Sequence, residues 1–171
     1  MTDVSGLVAP FRLEIQKRLT TLCQGIVLVD PFEPNALSDA VFRGRLVFDD
    51  NDPLPMISII EPPIPEKSPE ERNDRGKHIS NYDLVIQGFA DDDKRNPSDA
   101  LHYLMAEVKK ALVAEKLKDA GRNILSFGGN VDQMFIGPGA VRSSATPSEL
   151  AFFWLTLSLR IVEDLQNPYA Y

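Results

Sequence analysis

The chain of 171 residues carries 18 basic and 25 acidic side chains, a net charge of −7 and a 43% apolar share. That length suffices for one domain with a real core, and so acidic a surface repels phosphate backbones and argues against nucleic acid as a primary ligand. No segment reaches the ~20 apolar residues that cross a bilayer, and the N-terminus lacks the basic start and apolar run of a secretory signal. Cys23 has no second cysteine to pair with and suits a reducing compartment. Its place at the end of an apolar helix predicts a buried packing role. The expectation is a soluble protein made in the cytosol.

The first element is a helix from about Pro10 to Leu22, with Phe11, Ile15, Leu19 and Leu22 recurring on one face. Pro10 suits the first helical position and Gly25 the residue past the end. Arg12, Glu14, Lys17 and Arg18 then read as solvated charges. Ile26–Val29 reads either as a strand or as a buried connector. Val41 to Phe48 (VFRGRLVF) is a strand candidate with Gly44 marking a bulge or close approach. Met56 to Ile60 (MISII) is expected to pair with it, the acidic stretch DDNDPLP forming the loop between them.

From Glu61 to Lys77, EPPIPEKSPEERNDRGK, four prolines stand among mostly charged residues. The segment is too proline-rich for a central strand and too polar to bury itself, so it reads as an extended, mobile arm. Its length suits a partner-contacting loop. His78 to Phe89 resumes as a strand: Tyr82, Leu84 and Ile86 share one face, and Asp83, Val85, Gln87 and Phe89 the other. Asn96 reads as an N-cap with Pro97 opening a long helix. Its buried stripe is Leu101, Leu104, Val108, Ala111 and Leu112, its lysines gather toward the far end, and Gly121 ends it. Val131 to Ile136 is a strand closed by Gly137-Pro138-Gly139, and 141–149 is loop.

The last strand, Phe152 to Glu163, alternates most clearly. Phe153, Leu155, Leu157, Leu159 and Ile161 share a face; at ~1.5–3 kcal/mol per large apolar side chain, those five represent a gross ~7–15 kcal/mol. That rivals the net stability of a whole domain, ~5–15 kcal/mol, so this face is core. The opposite face is mixed. Its bulky end, Phe152 and Trp154, needs a cover, either a helix of this chain or a neighbouring subunit.

Chemical motifs are sparse. His78 and His102 have no partner at metal-ligand spacing. Asp91-Asp92-Asp93 lacks the spaced ligands of a calcium loop and reads as a solvated turn. Gly128-Gly129 lacks the Lys-Ser/Thr of a phosphate loop, and no GxSxG elbow occurs. No cofactor is expected, nor any catalytic residue. Arg43, Arg45 and Arg160 would form a small basic stripe if their strands pair, or else satisfy surface ion pairs. The elements predict an α+β fold within a single domain over residues 1–171. One mostly antiparallel or mixed sheet of four to five strands carries two main helices on one face, plus the arm.

The passage DLVIQGFADDDKRNPSDALHYLMAEVKKAL, a strand then a helix opening at a Pro-Ser-Asp turn, and the closing FFWLTLSLRIVEDLQNPY, a strand with an acidic tail and an Asn-Pro-aromatic ending, resemble the tail-terminator (tail-completion) proteins of long-tailed bacteriophages. The resemblance covers most of the chain. It implies a non-enzymatic protein, made in the bacterial cytoplasm, that forms a ring, commonly a hexamer, on the head-proximal end of the tail tube. There it stops tube polymerisation and offers the surface on which the head docks. Its partners would be copies of itself, the tail-tube protein and a head–tail connector protein. Expected contact residues are Phe152, Trp154, Arg160, Arg43 and Arg45, with Glu66, Lys67, Arg72 and Arg75 from the arm. Alternatives are a head-completion or connector protein, a peptide-binding module that adds a strand at a sheet edge, and a metal-assisted hydrolase using Asp91–Asp93 with His78 or His102.

Overall fold

Two thirteen-residue strands, β4 (Lys77–Phe89) and β6 (Phe152–Asp164), pair antiparallel along their whole length, from Lys77 opposite Asp164 to Phe89 opposite Phe152. The computed structural model describes residues 8–49, 51–63, 71–72 (backbone), 76–91, 95–119, 121–142 and 150–169. Around that central pair lie helix α1 (Phe11–Gln24), β1 (Val41–Arg43), β2 (Met56–Ile60), β3 (Glu71–Arg72), helix α2 (Asp99–Lys116) and β5 (Val131–Arg142). Among the described residues the strands form one mixed sheet in the order β1-β2-β4-β6-β5, with the short β3 also paired to β4. The fold is α+β, as the element pattern predicts.

Alternation decides the layers. Leu155, Leu157, Leu159 and Ile161 on β6 face the same way as Ile86, Leu84 and Tyr82 opposite them on β4, and all are buried. Phe11, Ile15 and Leu19 of α1 and Leu101, Leu104, Val108 and Leu112 of α2 join them in one core. Both helices therefore lie on a single face of the sheet. Met105 and Glu115 also belong to the buried side of α2, whereas Ala111 is only half-buried.

Several local expectations are corrected. The chain from Val41 to Phe48 is strand only as far as Arg43, and β1 runs parallel to β2, Val41 opposite Ile57. A hairpin is excluded by that direction. Instead the connection turns at Gly44, whose φ of +64° favours glycine, and its Arg45 carbonyl accepts a 2.6 Å bond from the Ser58 hydroxyl. Ile26–Val29 is a connector. The helix α2 starts after Ser98, because Asn96–Asp99 forms a turn of its own, the Asp99 N–H donating to the Asn96 carbonyl at 3.1 Å. It also stops at Lys116, before Gly121. Strand β5 does not end at Gly137 but passes through Gly137-Pro138-Gly139 as a bulge. An edge strand tolerates proline there, and a Cβ on Gly137 would stand 2.0 Å from Thr156 Oγ1. Of the arm, Glu71–Arg72 pairs with Ile79 and His78, and β4 already begins at Lys77; residues 64–70 and 73–75 lie outside the described residues.

Glu115 explains the end of α2. Its side chain is 1% exposed, accepts the Ile124 N–H at 2.7 Å and is held by the Lys118 ammonium. The chain after the helix is thereby tied back to it. Glu115→Ala should cost about 1–3 kcal/mol by leaving that backbone donor unpaired. Glu115→Gln, which retains the acceptor, should lose less, as read from urea unfolding midpoints.

Candidate interaction face

Because α1 and α2 take the same side, no described helix lies over the other side of the sheet. The side chains that alternate outward here are Phe152, Trp154, Thr156, Ser158 and Arg160 on β6, all half-buried, and Asp83, Val85 and Gln87 on β4. Phe135 of β5, opposite Ser158, stands 53% exposed on this face.

At one end the face is built of rings. Phe42, Phe48, Phe89, Phe152 and Trp154 follow one another across β1, the 44–55 connection, β4 and β6, with successive centroids 6.1, 4.8, 6.0 and 5.7 Å apart. These are separations at which tilted aromatic pairs attract. Arginines close both ends of the row. Arg45 lies 4.7 Å from the Phe42 centroid and 4.9 Å from that of Phe48, while Arg142 lies 5.2 Å from the Trp154 ring. Asp52 holds Arg45 in place at 2.7 Å. The partial cover that Phe152 finds is thus the ring of Phe89, itself under Phe48 of the connection. Neither α1 nor α2 supplies it.

Arg43, Arg45 and Arg160 do not make one stripe. Arg43 turns to the helical side and donates to Thr20 Oγ1 at 3.4 Å. Arg45 and Arg160 are on the open side, but Arg160 lies 3.8 Å from Asp132 at the far end of β6. Of the arm positions, only Arg72 falls within the description, as a backbone rung on β4; Glu66, Lys67 and Arg75 lie outside it. Phe152, Trp154 and Arg160 do share one face.

A second polar constellation was not legible in the sequence. Arg12 grips Glu163 through two bonds of 2.9 and 2.7 Å and lies 5.1 Å from the Tyr82 ring centroid. The Tyr82 hydroxyl donates to Glu61 at 2.7 Å, and Gln16 donates to both Glu61 and Tyr82. Glu163 raises the Arg12 pKa, and burial raises that of Tyr82. The group ties α1 to both central strands and to the residue where the proline-rich segment begins. Arg18, also read as a solvated charge, instead lies over the Phe127 ring at 3.8 Å and donates to the Ile124 carbonyl at 2.9 Å.

Among the described residues no group of three or more His, Cys, Asp or Glu is placed to hold a metal ion. Of the acidic turn, Asp91 is described and lines a cleft of about 530 Å³ beside Phe32, Leu54 and Tyr103; Asp92 and Asp93 are not described. Cys23 is buried, and desolvation pushes its thiol up to about 12, as expected of a packing residue. No described helix is long and apolar enough to cross a membrane. No protein-family model matches the chain, and no curated protein sequence matches it significantly.

Proposed function

We propose that the chain is a structural assembly protein of a bacteriophage tail. In this reading copies of it close into a ring, a hexamer in the family it resembles, on the head-proximal end of the tail tube. The ring stops tube growth and presents the head-docking surface. The protein catalyses no reaction and takes no cofactor; it is made in the host cytoplasm and ends in the virion. Its partners are itself, the tail-tube protein and a connector protein.

The observation that carries this reading is the sheet face turned away from both described helices, where Phe152 and Trp154 are half-buried and Phe135, further along the same face, is exposed. A lone domain gains by covering such rings, and a repeating subunit has a copy of itself with which to do so. Phe152, Trp154 and Arg160 are the contacts assigned to it.

The test is electron microscopy of phage deleted for this gene and of phage carrying Trp154→Asp. Both should give tails of abnormal length or tails without heads. The purified variant should keep the circular dichroism of the parent. Normal, head-joined tails in the deletion would remove the proposal. If the protein captures portal protein and not tail-tube protein in a pull-down, it belongs to the connector instead.

A further inference from the structure

Helix α2 carries a second apolar stripe that the core does not use. Tyr103, Ala106, Lys110, Val113 and the C-cap residue Leu117 follow one another at steps of three and four, and all five are exposed. At 3.6 residues per turn they gather on one narrow strip of the helix, opposite the buried Leu101, Leu104, Val108 and Leu112. Steps of three and four are the spacing of a helix–helix seam. Tyr103 is 54% exposed, Val113 44% and Leu117 79%, so the largest apolar groups of the strip stand in water.

The flanks of the strip differ in charge, and that asymmetry selects the occupant. Along one flank run His102, Lys109 and Lys116, spaced by seven residues each. Neither lysine forms an ion pair with a described residue. The other flank holds Glu107, already paired with Lys110 at 3.0 Å, and the small side chains of Ala111 and Ala114. Lys110 sits within the strip itself with its side chain 71% exposed, so its ammonium can meet a second carboxylate besides Glu107.

We infer that this face of α2 docks an amphipathic helix of another protein, one with aliphatic residues along its seam and carboxylates along one edge. A second copy of α2 fits poorly. Antiparallel packing would set lysine flank against lysine flank, and parallel packing would set Lys110 against Lys110. Ala106 and Ala114 leave room for a close approach, and Lys110, the one polar position between Tyr103 and Leu117 on the strip, fixes the register of the incoming helix. The inference stands apart from the assembly role, since it concerns the helical side of the domain.

The probe is a synthetic helical peptide about as long as α2, with leucines at three–four spacing and glutamates on its flanks and at one seam position. Its twin carries lysines in place of the glutamates. Fluorescence anisotropy with the full-length protein should show the acidic peptide binding at least about tenfold tighter than its twin at low salt, a gap that closes as salt rises. The charge-reversed variant Lys109→Glu with Lys116→Glu should invert the preference. Val113→Glu with Leu117→Glu should abolish binding of both peptides, with unchanged circular dichroism because neither side chain belongs to the buried core.

Equal affinity for the two peptides, or no binding of the acidic one, overturns the inference. Binding of the protein to phosphatidylserine vesicles in place of the acidic peptide also overturns it, by making the face a membrane contact. So does a dimer in solution that Val113→Glu with Leu117→Glu dissociates, which would make the face a self-contact.

Discussion

Between neutral pH and pH 11 the protein should lose about 2–3 kcal/mol of unfolding free energy through Cys23 alone. The thiol is fully buried, and desolvation holds its pKa at about 12 against an ordinary value of 9.0. The sign follows from which state releases the proton. Below pH 9 the thiol is neutral in both states and the stabilisation is complete. Above pH 9 the unfolded chain ionises while the folded core keeps the proton, so stability drains away until the folded thiol itself titrates near pH 12. Tyr82 acts in the same direction, because burial raises its hydroxyl above the ordinary 10.0. Urea unfolding across pH 8 to 11 in the parent and in Cys23→Ala separates this contribution from the lysines, which both proteins share. The variant should show the shallower alkaline slope; parallel slopes would mean that the thiol sits in a wetter place than the core packing implies.

Gly88→Ala should cost about 3 kcal/mol, the upper end of the range for overpacking a core. The Cβ of alanine would stand 2.1 Å from Phe153 Cε1 and 2.5 Å from its Cζ. Gly88 lies opposite Phe153 in the β4–β6 ladder, and the ring lies across it within a core where Phe153 is wholly buried. The ring has no solvent side into which it can swing. If this reciprocal fit is the cause, Gly88→Ala combined with Phe153→Leu should lose clearly less than the two single changes added together. Additive losses would show that the glycine serves the backbone and not the ring above it. Comparison of chemical-unfolding midpoints at constant slope decides between them.

The open face and the ring row bear on the proposed assembly differently. Arg45, Phe48 and Asp52 belong to the 44–55 connection and hold it against the sheet. Their loss should loosen the fold's edge, whereas Trp154→Asp changes a side chain already in partial contact with water. For that reason Trp154 is the better probe of assembly.

Local chemistry made much of this chain legible. Period-two alternation in Phe152–Asp164 and in Tyr82–Phe89 assigned the core face of both central strands correctly, since a one-residue slip would bury charge. Period-3.6 spacing found both helices and most of their buried stripes. Less legible was everything set by partners distant in sequence. Nothing in VFRGR or MISII states whether the two runs lie parallel, because direction depends on where the intervening chain travels. Pro138 reads as a strand breaker, yet an edge position has no ladder bond for it to remove. Arg12 looks like any solvated arginine until β6 brings Glu163 beside it, 151 positions away.

By itself, then, the order of residues determined the class of fold, the buried stripe of each long element, the packing role of Cys23 and the absence of familiar catalytic signatures. Tertiary structure alone decided that both described helices crowd onto one side and leave Phe152 and Trp154 under neither of them. It also decided that Glu115 enters the core to bind Ile124, and that Tyr103, Val113 and Leu117 stand unused in water. The physical reason is one of range: hydrophobic periodicity and capping act within a turn or a strand, whereas burial is a property of whatever the rest of the chain places overhead.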